Sequence, residues 1–192
     1  MSGGPLRADA ARNRAKLLAA AIDAFGQDGA DVPLETIAAR AGVGVGTLYR
    51  HFSNREALVE AAYRQEVAAL CDAVPDLLDR HPLAVDALRE WSVRFVHYAA
   101  TKRGMGSALR SAVGADSNLF SQTRERIVGA LALLLAAGAA DGSTRPDADA
   151  DDLWIAMGGV WNIPLGEAWE GQVRRLLDLV IDGLRYGART TA

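Results

Sequence analysis

Apolar residues along this chain recur at the three- and four-residue spacing of helices, and no sustained alternation of apolar and polar positions marks a strand. Leu18, Ala21, Ile22 and Phe25 share one face of a helix expected from about Ala10 to Gln27, with Gly29 as its stop. The polar stretch of residues 1–9 ahead of it is expected to be disordered. Pro33 opens a short second helix with Leu34, Ile37, Ala38 and Ala41 on one side, and Gly42 closes it because glycine can take the left-handed conformation of a tight turn. A third short helix is expected over Val45 to His51. Ser53-Asn54-Arg55-Glu56 has the S-x-x-E form of a capping box, and the helix it starts runs to about Val74, ahead of Pro75.

The second half reads as longer helices. Leu88, Trp91, Phe95 and Tyr98 lie near one face of a helix from about Leu83 to Lys102, which Gly104 and Gly106 are expected to break. A short helix over Ser107 to Val113 and a longer one over Leu119 to Ala137 follow, the latter carrying Ile127, Leu131, Leu134 and Leu135. Gly138 to Asp149 is expected as a loop whose Asp147 or Asp149 caps a helix from Asp151 to Val160. The last helix, Gln172 to Tyr186, carries Val173, Leu176, Leu177, Val180, Ile181 and Leu184 as an apolar stripe. The chain is therefore all-α.

Half of the 192 residues are apolar, enough to bury a real core, and an alanine- and leucine-rich composition suits helices. The net charge of −3 is uneven. Residues 1–55 carry seven Lys/Arg against five Asp/Glu, a balance of +2, and the remainder carries −5. A basic head on an acidic body suits a small nucleic-acid-binding module. Cys71 is the single cysteine, so no disulfide forms within the chain; it reads as a small buried hydrophobe in a reducing compartment. No stretch has the roughly 18 uninterrupted apolar residues of a membrane span, and Met1 to Arg14 lacks an apolar signal region. The expectation is a cytoplasmic protein with no membrane partner.

Candidate chemistry is sparse. His51, His81 and His97 are scattered, with no pair spaced to share a metal on one helix face. Asp147, Asp149, Asp151 and Asp152 lack calcium-loop spacing and read as a solvated, helix-capping cluster. Gly42-Val43-Gly44-Val45-Gly46 lacks G-x-G-x-x-G spacing and follows no strand, so it is a turn rather than a phosphate cradle. No serine, histidine and aspartate share a catalytic motif. No catalytic residue, metal or cofactor is expected, and the chain is read as a non-enzyme.

The informative stretch is Leu34 to Phe52, LETIAARAGVGVGTLYRHF. A short amphipathic helix, a glycine-containing turn and a second short helix are what a helix-turn-helix requires. Leu34, Ile37 and Ala38 seat the first helix, Ala38 and Ala41 are small where the two cross, and Val43 and Leu48 plug the corner. Val45, Gly46, Thr47, Tyr49, Arg50 and His51 are left to face outward, offering methyls, hydroxyls and a guanidinium to a major groove.

The run AGVGVGTLYRHFSNREAL, placed after a helix ending in Ala24-Phe25, resembles the N-terminal module of the TetR family of bacterial repressors. The likeness covers residues 12–60, about a quarter of the chain, and the TLYRHF core with its following basic residue and Glu-Ala-Leu is more diagnostic than a generic helix-turn-helix. The resemblance implies a helix-turn-helix DNA-binding domain over residues 1–54 and a helical ligand-binding and dimerisation domain over residues 55–192. It implies that Thr47 and Tyr49 touch phosphates or a thymine methyl, that Val45 and Gly46 face bases, and that Arg50 reaches a base edge or phosphate. His51 would pack or touch the backbone, Arg55 would grip a phosphate, and Arg12, Arg14 and Lys16 would approach the duplex from the first helix. Two positions depart from the family pattern. Gly44 stands where many relatives have a hydroxyl cap, and Pro33-Leu34 stand where many have a Ser or Thr phosphate contact.

The implied partners are double-stranded operator DNA, a second copy of the chain and a small-molecule effector. Trp91, Phe95, Tyr98, Phe120, Trp154 and Trp161 are candidate pocket residues, because Trp and Tyr offer an apolar body with a polar tip. Trp154 and Trp161 are seven apart, on one helical face, and Met105, His97 and Arg110 are further candidates. Ala156, Gly158 and Gly159 with the stripe Leu176, Val180 and Leu184 suit the helix-to-helix contact of a dimer, which the family forms through its last two long helices.

Overall fold

The structure, a computed structural model, describes residues 4–29, 31–113, 118–164 and 166–186, and these contain helices and no strand. The helices are α1 (Gly4–Asp28), α2 (Leu34–Arg40), α3 (Val45–His51), α4 (Arg55–Asp72), α5 (Val74–Arg80), α6 (Ala84–Gly104), α7 (Gly106–Val113), α8 (Leu119–Asp141), α9 (Ala150–Met157) and α10 (Trp169–Tyr186), with a 3-10 helix (Gly158–Asn162) after α9. The chain divides into two compact units that do not follow a single cut along the sequence. One contains residues 1–66 and 100–119, the other residues 67–99 and 120–192.

In the first unit, α1, α2 and α3 pack on one another. Leu17, Ala21 and Phe25 of α1, Ile37 and Ala38 of α2, Leu48 of α3 and Leu58, Val59 and Tyr63 of α4 form its core. α1 begins at Gly4, within the segment expected to be disordered. Ala8, Ala10, Ala11 and Arg12 are strong helix formers, and extending a nucleated helix adds one hydrogen bond for each residue fixed. The capping box also shifts phase. Asn54, not Ser53, caps α4, its Oδ1 accepting the Ala57 N–H at 2.8 Å. Asparagine caps as well as serine does, so one residue of register decided between them.

In the second unit, Leu88, Trp91 and Phe95 of α6 share a core with Ile127, Leu131 and Leu134 of α8 and with Val173, Leu177 and Ile181 of α10. α4 ends at Asp72, ahead of Pro75 as expected, but Pro75 then belongs to a further helix. It falls in the first turn of α5, where its missing N–H would have had no partner. α8 continues through Gly138 to Asp141 before Gly142 turns left-handed at φ 74°. Gly138 is kept because Thr144 folds back onto it: the Thr144 N–H donates to the Gly138 carbonyl at 3.1 Å, and a Cβ at 138 would lie 2.4 Å from the Thr144 hydroxyl oxygen.

Polar contacts tie the second unit's helices together at the surface. Arg89 of α6 reaches Asp178 at 3.2 Å and also pairs with Asp182, both on α10. Glu90 accepts from Arg80 and pairs with His81, each at 2.8 Å, and accepts from Arg94 at 3.3 Å. The Arg80 hydrogen bond, followed by those from His81 and Arg94, holds the Glu90 carboxyl down to about 2. Asp149 caps α9, accepting the N–H groups of Asp151 at 2.8 Å and Asp152 at 3.1 Å. Asp149→Ala should therefore lower stability by about 1 kcal/mol, and Asp149→Asn by much less. Chemical denaturation of the three proteins measures this.

Candidate functional site

Everything in the N-terminal site rests on two seven-residue helices and the turn between them. Leu34, Ile37 and Ala38 bury one side of α2. The Gly42 N–H donates to the Ala39 carbonyl and the Val43 N–H to the Ala38 carbonyl, each at 3.0 Å, closing α2. Gly42 makes this possible at φ 67°, a conformation that side chains disfavour. The chain then extends through Gly44 (φ −71°, ψ 148°), whose carbonyl accepts the Thr47 N–H at 2.8 Å and starts α3. Gly44 has no side chain to cap with, and none is needed for the turn.

α3 divides sharply by exposure. Leu48 is fully buried, while Val45 is 39% and Tyr49 49% exposed. Gly46 and Arg50 are also exposed, and Thr47 and His51 are half-buried. A Cβ at Gly44 or Gly46 would meet nothing within 4 Å, so this face is open and flush with the backbone. Arg55 is half-buried at the start of α4. On α1, Arg12, Arg14 and Lys16 are exposed; Arg12 pairs with Asp9, and the Arg14 guanidinium lies 5.3 Å from the centre of the Phe52 ring. No ion pair among the described residues involves Lys16 or Arg50. The face can offer a short apolar edge, a phenol, a hydroxyl and cations, and the described residues contain no cluster that could hold a metal.

The aromatic candidates separate. Trp91 stacks on Phe95 at 5.8 Å between ring centres, and Tyr98 lies against Phe95 at the same distance. Trp154 of α9 meets Phe95 edge-on at 6.5 Å. Trp91, Phe95 and Tyr98 are buried, and the Trp91 indole N–H donates to the Leu70 carbonyl at 2.9 Å, so its polar tip is committed to the fold. Trp154 and Trp161 are half-buried. They do not share a helical stripe as their spacing suggests, because the tighter 3-10 winding begins at Gly158 between them. Phe120 is exposed at the start of α8, and Met105 is buried in the first unit with Arg110 exposed nearby in sequence. His97 is exposed on α6.

Sequence reasoning missed a cleft in the second unit. A space of about 320 Å³ is lined by Arg145, Asp149, Asp152, Ala156, Val180 and Leu184. A neighbouring space of about 290 Å³ shares Arg145 and Asp149 and adds Ala132 and Ala136 of α8. Their signal lay in small residues of α8 such as Ala132 and Ala136, which stand outside the stripe of Ile127, Leu131, Leu134 and Leu135. Arg145 is held by Asp147 at 2.6 and 2.7 Å. Burial pushes the half-buried Cys71 thiol up to about 11, Arg126 opposing the effect and Asp72 adding to it.

A buried short helix, a left-handed glycine turn and an exposed second helix define a helix-turn-helix DNA-binding protein. The family model described as bacterial regulatory proteins, tetR family, matches residues 17–62. That described as transcriptional regulator SbtR-like, C-terminal domain, matches residues 84–186. The chain is similar to the TetR transcriptional regulator SCO0520 from Streptomyces coelicolor, with 48% identity, TM-score 0.82, and coverage of 90% of this chain and 98% of that one. It is also similar to a TetR transcription regulatory protein from Mycobacterium vanbaalenii, with 34% identity, TM-score 0.75, and coverage of 94% and 99%. NemR from Escherichia coli, at 17% identity, TM-score 0.69 and coverage of 94% and 100%, shares the fold. No curated protein matches the chain. The chain belongs to the TetR family of transcriptional regulators, and its C-terminal part is of the SbtR-like type.

Leu48→Ala should cost about 2–5 kcal/mol of stability, because the site can relax only partly around the lost side chain. Its effect on urea unfolding should far exceed that of Tyr49→Ala on the exposed side of the same helix.

Proposed function

We propose that the protein is a homodimeric repressor that holds a pseudo-palindromic operator and leaves it when a small molecule binds its C-terminal domain. The observation that carries this reading is the open outer face of α3, with Val45, Gly46, Tyr49 and Arg50 exposed around a buried Leu48. That face has the size and chemistry to enter a major groove. Arg50 reads a base edge or phosphate, while Thr47, Tyr49, Arg55, Arg12 and Lys16 position the module on the backbone, and His51 packs beside it. Two copies place two such helices on successive grooves.

The second copy is supported by apolar surface in the second unit. Leu133 of α8 is 57%, Ile155 of α9 68% and Leu179 of α10 71% exposed. Gly129, Ala132 and Ala136 on α8 and Gly183 on α10 are small and exposed beside them, which lets another helix approach closely. Burying a Leu or Ile side chain stabilises by about 1.5–3 kcal/mol. No helix among the described residues is long and apolar enough to cross a membrane.

An effector releases DNA by binding more tightly to a dimer whose heads are wrongly spaced, and DNA then weakens the effector equally. Half-buried Trp154 and Trp161 are the indoles best placed to touch a guest, with Tyr98, Phe120 and Met105 as further candidates. A second reading, a regulator that works without an effector, is favoured by the close stacking of buried Trp91, Phe95 and Tyr98.

Selection of duplexes from a random-sequence library by the wild-type protein tests the reading: an enriched inverted repeat is expected, and its absence would sink the proposal. On that duplex Arg50→Ala should lose about 1–3 kcal/mol of binding in fluorescence anisotropy, provided that the guanidinium contacts a base. Leu179→Asp should convert the dimer to a monomer in sedimentation velocity while leaving helical circular dichroism intact. A wild-type protein that sediments as a monomer would remove the paired-subunit mechanism.

A further inference from the structure

We propose that Gly104 is a positioning residue for the DNA-binding unit, setting where α1 sits on the last turn of α6; this rests on the DNA-binding function proposed above. A glycine near a helix end is ordinarily a left-handed cap. Gly104 is not one. The positive-φ glycines among the described residues are Gly29, Gly42 and Gly142, and Gly104 is still helical. Glycine inside a helix costs about 1 kcal/mol relative to alanine, so something else must require it.

The requirement is the α1 backbone. A Cβ at 104 would lie 2.1 Å from the Phe25 carbonyl oxygen, 3.1 Å from the Phe25 carbonyl carbon and 3.5 Å from the Gly26 Cα. These atoms are main chain, so no side chain can swing away to make room. The requirement lies on the α6 side, because a methyl at position 26 would fit. A Cβ at Gly26 would meet the Thr101 hydroxyl oxygen at 3.6 Å, and Thr101 and Phe25 are both buried. Gly104 is thus the glycine that lets the last turns of α1 and α6 touch through their backbones.

A methyl at 104 must therefore push α1 and the end of α6 apart by about 1 Å, on the scale of the helix shifts that switch other proteins. α1 carries Arg12 and Lys16 and packs on α2 and α3. The three atoms nearest a Cβ at 104 all belong to α1 and none to α2 or α3, and the three helices are packed on one another, so they move together. The backbone contact at Gly104 thereby sets where α1, and with it the recognition helix, sits on the last turn of α6 without touching DNA.

The test compares full-length wild-type, Gly104→Ala and Gly106→Ala proteins by fluorescence anisotropy on two duplexes. One is the inverted repeat selected by the wild-type protein, the other a duplex holding a single half-site from it. Gly106→Ala is the control, because its Cβ would meet only the tip of Arg110 at an ordinary 3.6 Å. Gly104→Ala is expected to bind the full repeat roughly tenfold more weakly and the half-site within about twofold of wild type, with unchanged helical circular dichroism. Gly106→Ala should match wild type on both. Wild-type behaviour of Gly104→Ala on the full repeat overturns the proposal. So does an equal loss on both duplexes, or a loss of helical signal, since either makes Gly104 a residue of folding alone. A wild-type protein that selects no repeat defeats the function itself, and the positioning role with it.

Discussion

The N-terminal site depends on the burial of one side chain, Leu48. α3 is seven residues long, and isolated helices of that length are not stable in water. Its other side chains are exposed or half-buried and contribute little to holding it. Leu48, closed off from solvent beneath it, fastens it to α1 and α2, which pack against it and against each other. The turn at Gly42 fixes the direction in which α3 departs, and the Gly44 carbonyl fixes its first turn. Because support and presentation fall on opposite sides of so short a rod, the outer residues can vary in chemistry without loosening the inner one.

This module was the most legible part of the chain. The limits of α3 agree with the sequence to the residue, because Gly42 and Gly44 punctuate its start and apolar Leu48 has a single inward direction to take. Elsewhere local signals competed. Ser53 and Asn54 are equally good caps, and only the register of α4 on the core chose Asn54. Pro75 reads as a breaker from its own chemistry, yet one residue earlier or later in a helix its meaning reverses, and α5 went unanticipated. Gly138 is kept helical by Thr144, which no window of helical periodicity would connect to it. The heptad relation of Trp154 and Trp161 dissolved because winding is not a local property of either residue.

The candidate site was legible where side chains announce chemistry and illegible where their absence does. Arg12, Lys16, Tyr49 and Arg50 stand exposed on their helices, as their types suggest. Gly104 carried no such mark, since a glycine reads alike as a break, a cap or a contact. The all-apolar run through Leu133 has no polar position to mark the outside of α8, so nothing in the sequence announces that this leucine faces outward. The two units also interleave along the chain, with residues 100–119 joining the N-terminal helices, an arrangement that a reading in sequence order does not produce.

Burial of the Cys71 thiol has a consequence for chemical signalling. With its ionisation pushed to about 11, only about one thiol in ten thousand is a thiolate at neutral pH, and the thiolate is the form that attacks peroxides and electrophiles. Oxidants that convert an acidic cysteine to a sulfenic acid react more slowly with a thiol held protonated in this way. A thiol held in its protonated form is a poor nucleophile, which suits a packing role for Cys71 between Asp72 and Arg126.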